Sequence, residues 1–139
     1  MPLFAFLHPI WQIGVFILGV LVAHIGMQKK SLVKAFPLKR HRTLGWIFLI
    51  LIVLGAFLGK VINNNLKAHA IQLKLSGHQP IGIIIIGLVA LAIIFSEVGI
   101  TNRKKFAGII GWHPWLNILA LGFLVAQAFI GILALIEYK

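Results

Sequence analysis

A chain of 139 residues that is 60% hydrophobic and 11% charged, with a mean hydropathy of +1.04, lies outside the composition of water-soluble domains and reads as an integral membrane protein. Its 13 Lys and Arg against 2 Asp and Glu give a net charge of +11, but these cations flank apolar runs and form no patch with interleaved aromatics, which excludes nucleic acid as the expected partner. The absence of cysteine excludes disulfides, thiolate nucleophiles and cysteine-ligated clusters, leaving histidine as the abundant strong ligand.

The first apolar run covers about residues 4 to 27. It lacks a basic leading segment and a small-residue cleavage site, so it is expected to stay as a span and not to be removed as a secretory signal. A basic connection follows, with Lys29, Lys30, Lys34, Lys39, Arg40 and Arg42, and then a second run of about 44 to 62. The stretch Asn63 to Ser76 is polar but carries Leu66, Ala70, Ile71, Leu73 and Leu75. Two readings stand for it: an ordinary loop, or a short interfacial helix whose Lys60, Lys67 and Lys74 share one face. The third run, about 80 to 100, holds Glu97, the only acid within an apolar run, for which Arg103 or Lys104 is the expected partner. The fourth run spans about 107 to 136.

Each run approaches or exceeds the roughly 20 residues that cross a hydrocarbon core as helix. The expected fold is therefore all-α, a single integral membrane four-helix bundle over residues 1–139, with lipid as its first partner. Four crossings put both termini on one side. Lys29, Lys30, Lys34, Lys39, Arg40, Arg42, Arg103, Lys104 and Lys105 lie on the other side, against Lys60, Lys67, Lys74 and Lys139 on the terminal side. The excess places the basic loops in the cytoplasm or stroma and the termini on the non-cytoplasmic side, in a prokaryotic plasma membrane or a thylakoid-type membrane.

Four histidines, His8, His41, His78 and His113, each stand at the start of one run. In the outer runs a proline follows the histidine and an amide lies four residues on, Gln12 and Asn117, on the histidine's face. In the inner runs the fourth residue on is Gly45 or Gly82, which removes bulk from that face and lets a flat macrocycle or another helix approach. The topology puts His8 and His78 at the terminal face and His41 and His113 at the basic face. Ligands for a cofactor in a four-helix bundle project inward from facing helices, so two bis-histidine b-type haems, one near each face, are expected. Candidate propionate partners are Arg40, Arg42 and Arg103 at one face and Lys74 at the other.

His24 lies about 24 Å along the helix from His8 and about 160° around it; it is the alternative to His41 as a ligand, or lines a quinone or proton site. His69 falls in the polar connection and is expected to be solvated. Gln127, about 21 Å beyond His113 and within about 40° of its face, should approach the His8–His78 cofactor or bond another helix. Glycines including Gly14, Gly19, Gly55, Gly59, Gly87, Gly122 and Gly131 read as helix packing sites, and Trp11, Trp46, Trp112 and Trp115 as an interfacial belt.

His8-Pro9, Arg40-His41-Arg42-Thr43-Leu44-Gly45, Gly77-His78 with Gly82, and His113 with Asn117, Gln127, Ala128 and Gly131 occur in that order. In these segments the chain resembles the cytochrome b561-like four-helix group, and in particular an uncharacterised family of small membrane proteins of cyanobacteria and chloroplasts. The resemblance implies a dihaem b-type membrane protein that moves electrons across the bilayer, with the four histidines as axial ligands of haem iron. It does not supply the one-electron donor and acceptor: quinone, superoxide, ascorbate and ferric chelates are open, as is oxidoreductase activity on one of them. The competing expectation is a redox-silent membrane subunit, a homo-oligomer or a scaffold of a larger complex, built on small-residue helix faces. A solute transporter is disfavoured because Glu97 and Gln127 are too sparse a polar lining.

Overall fold

A chain with this many apolar residues has one economical way to satisfy its backbone in lipid, which is to bond every N–H within its own helix. The computed structural model, which describes residues 2–28, 36–71 and 77–136, follows that rule. Four long helices, α1 (Leu7–Met27), α2 (Leu38–Ala68), α3 (His78–Thr101) and α4 (Trp112–Ile136), make up most of it, with no strand among the described residues. All four are long and apolar enough to cross a membrane. Large apolar side chains such as Ile10, Ile13, Ile17, Phe57, Ile83 and Phe129 are exposed on the outside, where lipid would cover them. Lys29, Lys30, Lys34, Lys74 and Lys139, which enter the charge pattern, lie outside the described residues.

The helix boundaries depart from the apolar runs in a consistent direction. α1 and α4 are preceded by 3-10 turns, Leu3–Phe6 and Ala107–Gly111, the latter following a single helical turn at Arg103–Phe106. Regular helix thus begins at Leu7 and Trp112, one residue before His8 and His113. Pro9 and Pro114 then fall in a first turn, where a missing N–H leaves no intrahelical bond unmade. α2 is 31 residues long, about 46 Å, and overruns the apolar run at both ends. Hydropathy marks where lipid lies, whereas Lys39, Arg40, Lys60 and Lys67 keep their heads exposed while the backbone stays helical.

This extension replaces both readings of the Asn63 to Ser76 stretch, as far as it is described. Asn63–Ala68 are the last turns of α2 and not a separate interfacial helix or a loop. The helix ends in a Schellman motif: the N–H of Ala70 donates to the Lys67 carbonyl and that of Ile71 to the Leu66 carbonyl. Ile71 packs on Leu66, as the motif favours. His69 caps the same end, its Nδ1–H donating to the Asn65 carbonyl at 2.8 Å.

Packing follows chain order around a ring. α1 lies against α2 and α4, and α3 against α2 and α4, so α1 and α3 form one diagonal and α2 and α4 the other. The core is a cluster of Val15, Phe48, Ile52, Ile85, Val89, Ile93, Ala120 and Leu124, drawn from all four helices. A smaller cluster of Ala5, Ile62 and Leu66 joins the leading 3-10 turn to the end of α2. Glycine serves this packing at some positions only. A Cβ on Gly19 would sit 2.7 Å from the Phe48 ring, whereas Gly14, Gly87 and Gly122 meet nothing within 4 Å and are not packing sites in this bundle.

Ala70 occupies the left-handed position of the Schellman motif at φ 59, where a Cβ is unfavourable and glycine is at ease. Replacing Ala70 with Gly should raise stability by about 1 kcal/mol, read as a higher unfolding midpoint in detergent.

Candidate functional site

The start of each helix fixes one imidazole, and antiparallel neighbours put these starts at alternating ends of the bundle. His8 (α1) and His78 (α3) meet across one diagonal, with ring centroids 6.0 Å apart and ring planes at 72°. His41 (α2) and His113 (α4) meet across the other, at 5.9 Å and 78°. All four rings are half-buried, whereas His24 and His69 are exposed. His24 is within 3.3 Å of the Gln28 amide on its own helix and takes no part in either pair; His41 holds the position for which His24 was the alternative. Among the described residues no three His, Cys, Asp or Glu side chains gather.

The polar atoms around the rings come mainly from neighbouring helices. His113 Nδ1–H donates to the Ala92 carbonyl of α3 at 2.8 Å. Such a bond fixes the tautomer and leaves Nε2 with the free lone pair. Gln127 of α4 reaches His78, its amide 3.4 Å from Nε2 and 3.3 Å from the His78 carbonyl. The amide also lies over Gly82, where a Cβ would be 3.1 Å away. Gln127 thus joins the His8–His78 end and bonds between helices at once, so its two sequence readings are one arrangement. The Nδ1 atoms of His8 and His78 and Oε1 of Gln12 are buried without a hydrogen-bond partner.

The amides four residues after histidine behave differently from expectation. Asn117 turns back on its own helix, donating to the His113 carbonyl at 2.8 Å, and lies 3.5 Å from both ring nitrogens. Gln12 packs its amide against Gly55 of α2 and does not bond His8. For Asn117 the reason is reach: it shares the histidine's face, but its short amide finds the carbonyl of its own helix first. Gly45 meets nothing within 4 Å. The glycines that touch imidazoles sit on the adjacent helix instead, with a Cβ at Gly59 lying 2.9 Å from His8, at Gly26 3.0 Å from His41 and at Gly131 3.6 Å from His78. Trp11, which looked like one more belt residue, donates its indole N–H to the Leu51 carbonyl at 3.0 Å and packs on Gly55. Trp46, Trp112 and Trp115 are exposed, as belt residues are.

Electrostatics distinguish the two ends. Lys39, Arg40, Arg103, Lys104 and Lys105 are exposed at the His41–His113 end. Arg42, next to His41, forms a bidentate ion pair with Glu97 of α3, Nε to Oε1 at 2.9 Å and a second nitrogen to Oε2 at 2.5 Å. Glu97 therefore pairs with Arg42 of α2 and not with Arg103 or Lys104, because α2 extends far enough to bring its basic first turn alongside α3. Arg42 is accordingly committed to a protein carboxylate, and Arg40 and Arg103 are the other exposed guanidinium groups at this end. Lys74 lies outside the described residues.

Comparison with protein-family models, curated proteins and solved structures found no match to this chain.

The Arg42 and Glu97 side chains are 44% and 27% exposed, so solvent screens the pair and its removal costs about 1 kcal/mol or less. Glu97→Gln should lower the unfolding midpoint in low-salt detergent buffer, and most of that difference should vanish at high salt.

Proposed function

We propose that this chain is a transmembrane electron-transfer protein of the cytochrome b561-like type, holding two b-type haems, one between His8 and His78 and one between His41 and His113. The observation that carries this reading is the spacing of the two diagonal pairs, 6.0 and 5.9 Å between ring centroids. Two imidazoles that bind one metal ion through nitrogens at about 2.0–2.1 Å have centroids roughly 6.3 Å apart, once the ring radius is added on each side. The same separation recurs at both ends of the core, each time between rings from diagonal helices. Two imidazoles with no third His, Cys, Asp or Glu gathered beside them among the described residues also suit an ion whose remaining positions are filled by a macrocycle, which is the coordination of haem iron.

Haem so held supplies a one-electron couple. The chain's own part is to hold, orient and shield. His113 keeps its Nε2 lone pair available by donating Nδ1–H to Ala92. Gln127 restrains His78 through its ring and carbonyl. The core cluster of Val15, Phe48, Ile52, Ile85, Val89, Ile93, Ala120 and Leu124 keeps the interior apolar. Arg40 and Arg103 are positioned to receive propionates at the basic end. That end lies in the cytoplasm or stroma by the distribution of cations, with both termini on the opposite side. Quinone, superoxide, ascorbate and ferric chelates remain the candidate electron partners.

The purified protein, expressed with ample haem supply, should show a reducible b-type absorption spectrum at about two haems per chain. Replacing His8 and His78 together with Ala should remove one haem and leave the other, as should His41 with His113, whereas His24→Ala should remove none. A chain that takes up no haem would instead be a redox-silent membrane subunit.

A further inference from the structure

Each imidazole pair takes one ring from each of two hairpins. His8 and His41 stand on the first, α1 with α2, and His78 and His113 on the second, α3 with α4. The separation and mutual tilt of the rings in a pair therefore depend on how one hairpin is registered on the other. Contacts inside a hairpin do not set that register. Trp11 on the Leu51 carbonyl acts within the first hairpin, and His113 on the Ala92 carbonyl and Gln127 on His78 act within the second. The core cluster joins the two hairpins through apolar contacts, which carry no direction of their own.

Arg42 and Glu97 supply a directional tie between the hairpins. Arg42 is the residue after His41, and its guanidinium meets both carboxylate oxygens of Glu97 on α3. A bidentate fork fixes angle as well as distance. The same helix holds the other member of the pair: the Ala92 carbonyl, five residues before Glu97, accepts the His113 Nδ1–H bond. About 7 Å of one rigid helix thus separates the hold on α2, beside His41, from the hold on His113. At the opposite end no ion pair joins the hairpins among the described residues.

We propose that Arg42 and Glu97 are positioning residues for the His41–His113 pair: their ion pair registers the first hairpin on the second and, through α3, sets the separation and tilt of these two rings. The inference deepens the haem assignment and rests on it for the rings' role as ligands; the register itself is a property of the helices. A solvent-exposed pair adds little to stability. Its effect is to select among arrangements of similar energy, by about fivefold in their ratio.

Two measurements test this. With His8 and His78 replaced by Ala, the remaining haem is the one at the basic end, and its low-spin electron paramagnetic resonance g-values follow the mutual tilt of its two imidazoles. Glu97→Gln and Arg42→Gln should each shift those g-values, and exchanging the charges, Arg42→Glu with Glu97→Arg, should return them toward the parent's. The haem left when His41 and His113 are replaced instead should keep its g-values in all three variants. A midpoint potential moves with the charge alone, so the g-values are the deciding readout. The second measurement uses the absence of cysteine from the chain: spin labels on Ile47→Cys in α2 and Ile94→Cys in α3, both exposed positions, report the distance between the two helices. A narrow distribution should broaden or lengthen in Glu97→Gln, and also with the pair intact at high salt, which screens the charges.

Parent g-values in Glu97→Gln overturn the proposal, including the case in which Arg42→Gln alone shifts them and Arg42 serves a haem propionate instead. Shifts at both haems overturn it too, as does a charge exchange that restores nothing. If the variants do not fold, the label distances at low and high salt decide. A wild-type chain that binds no haem sinks the haem assignment, while the label distances in that chain still decide whether the ion pair registers the hairpins.

Discussion

The bundle depends on one steric constraint: an imidazole at the start of a helix must lie in the interior beside a neighbouring helix that offers no side chain there. Where a Cβ at Gly59 would stand 2.9 Å from His8 and one at Gly26 3.0 Å from His41, even alanine would press on the ring. The contact fixes two things together. It sets the axial register of α1 on α2, because ring and glycine must be level, and it turns both histidines toward the centre, since their glycines share the histidine's own face five turns away. The diagonal meeting of His8 with His78 and of His41 with His113 follows from applying that constraint to two hairpins and packing them together.

The two hairpins satisfy the constraint unequally. Between α1 and α2 both histidines face a glycine, and the contacts are tight. Between α3 and α4 Gly131 lies at a relaxed 3.6 Å from His78, and His113 completes a bond to the Ala92 carbonyl. The second hairpin compensates with side-chain amides: Gln127 bridges to His78 and Asn117 turns onto the His113 carbonyl. Steric exclusion holds one half of each imidazole pair and hydrogen bonding holds the other. A bundle built so can keep its rings placed without a continuous polar network, which the low dielectric of a membrane interior would make costly to leave incomplete.

Much of this was legible in the sequence, for physical reasons. Four apolar runs with a histidine at each start translate directly into four helices, because lipid leaves the backbone no alternative, and alternation of direction alone brings His8 to the end of His78 and His41 to that of His113. Helix ends were less legible: α2 runs from Leu38 to Ala68 because snorkelling lysines and arginines let a helix leave the apolar layer without unwinding. That extra length is what brings Arg42 to Glu97, a pairing that proximity in sequence had assigned to Arg103 or Lys104. The glycines misled in another way. Attention to the fourth residue after each histidine selected Gly45 and Gly82, whereas the glycine that matters to a ring is on the adjacent helix, five turns from that helix's own histidine. Among 14 glycines, the ones that face a ring are hidden until a structure shows which helix faces which.

The ion pair of Arg42 with Glu97 adds an asymmetry that the fourfold pattern does not contain. At the His41–His113 end it ties α2 to α3, two helices from different hairpins, immediately after a histidine. At the other end no charged pair plays that part among the described residues; Trp11 on the Leu51 carbonyl and the Ala5, Ile62 and Leu66 cluster act within the first hairpin instead. The basic end is therefore braced across the hairpins, and the opposite end relies on Gln127, His78 and the core for its closure. Exposed cations around His41 and His113 also make the local potential more positive than around His8 and His78, so the two imidazole pairs sit in unequal electrostatic surroundings.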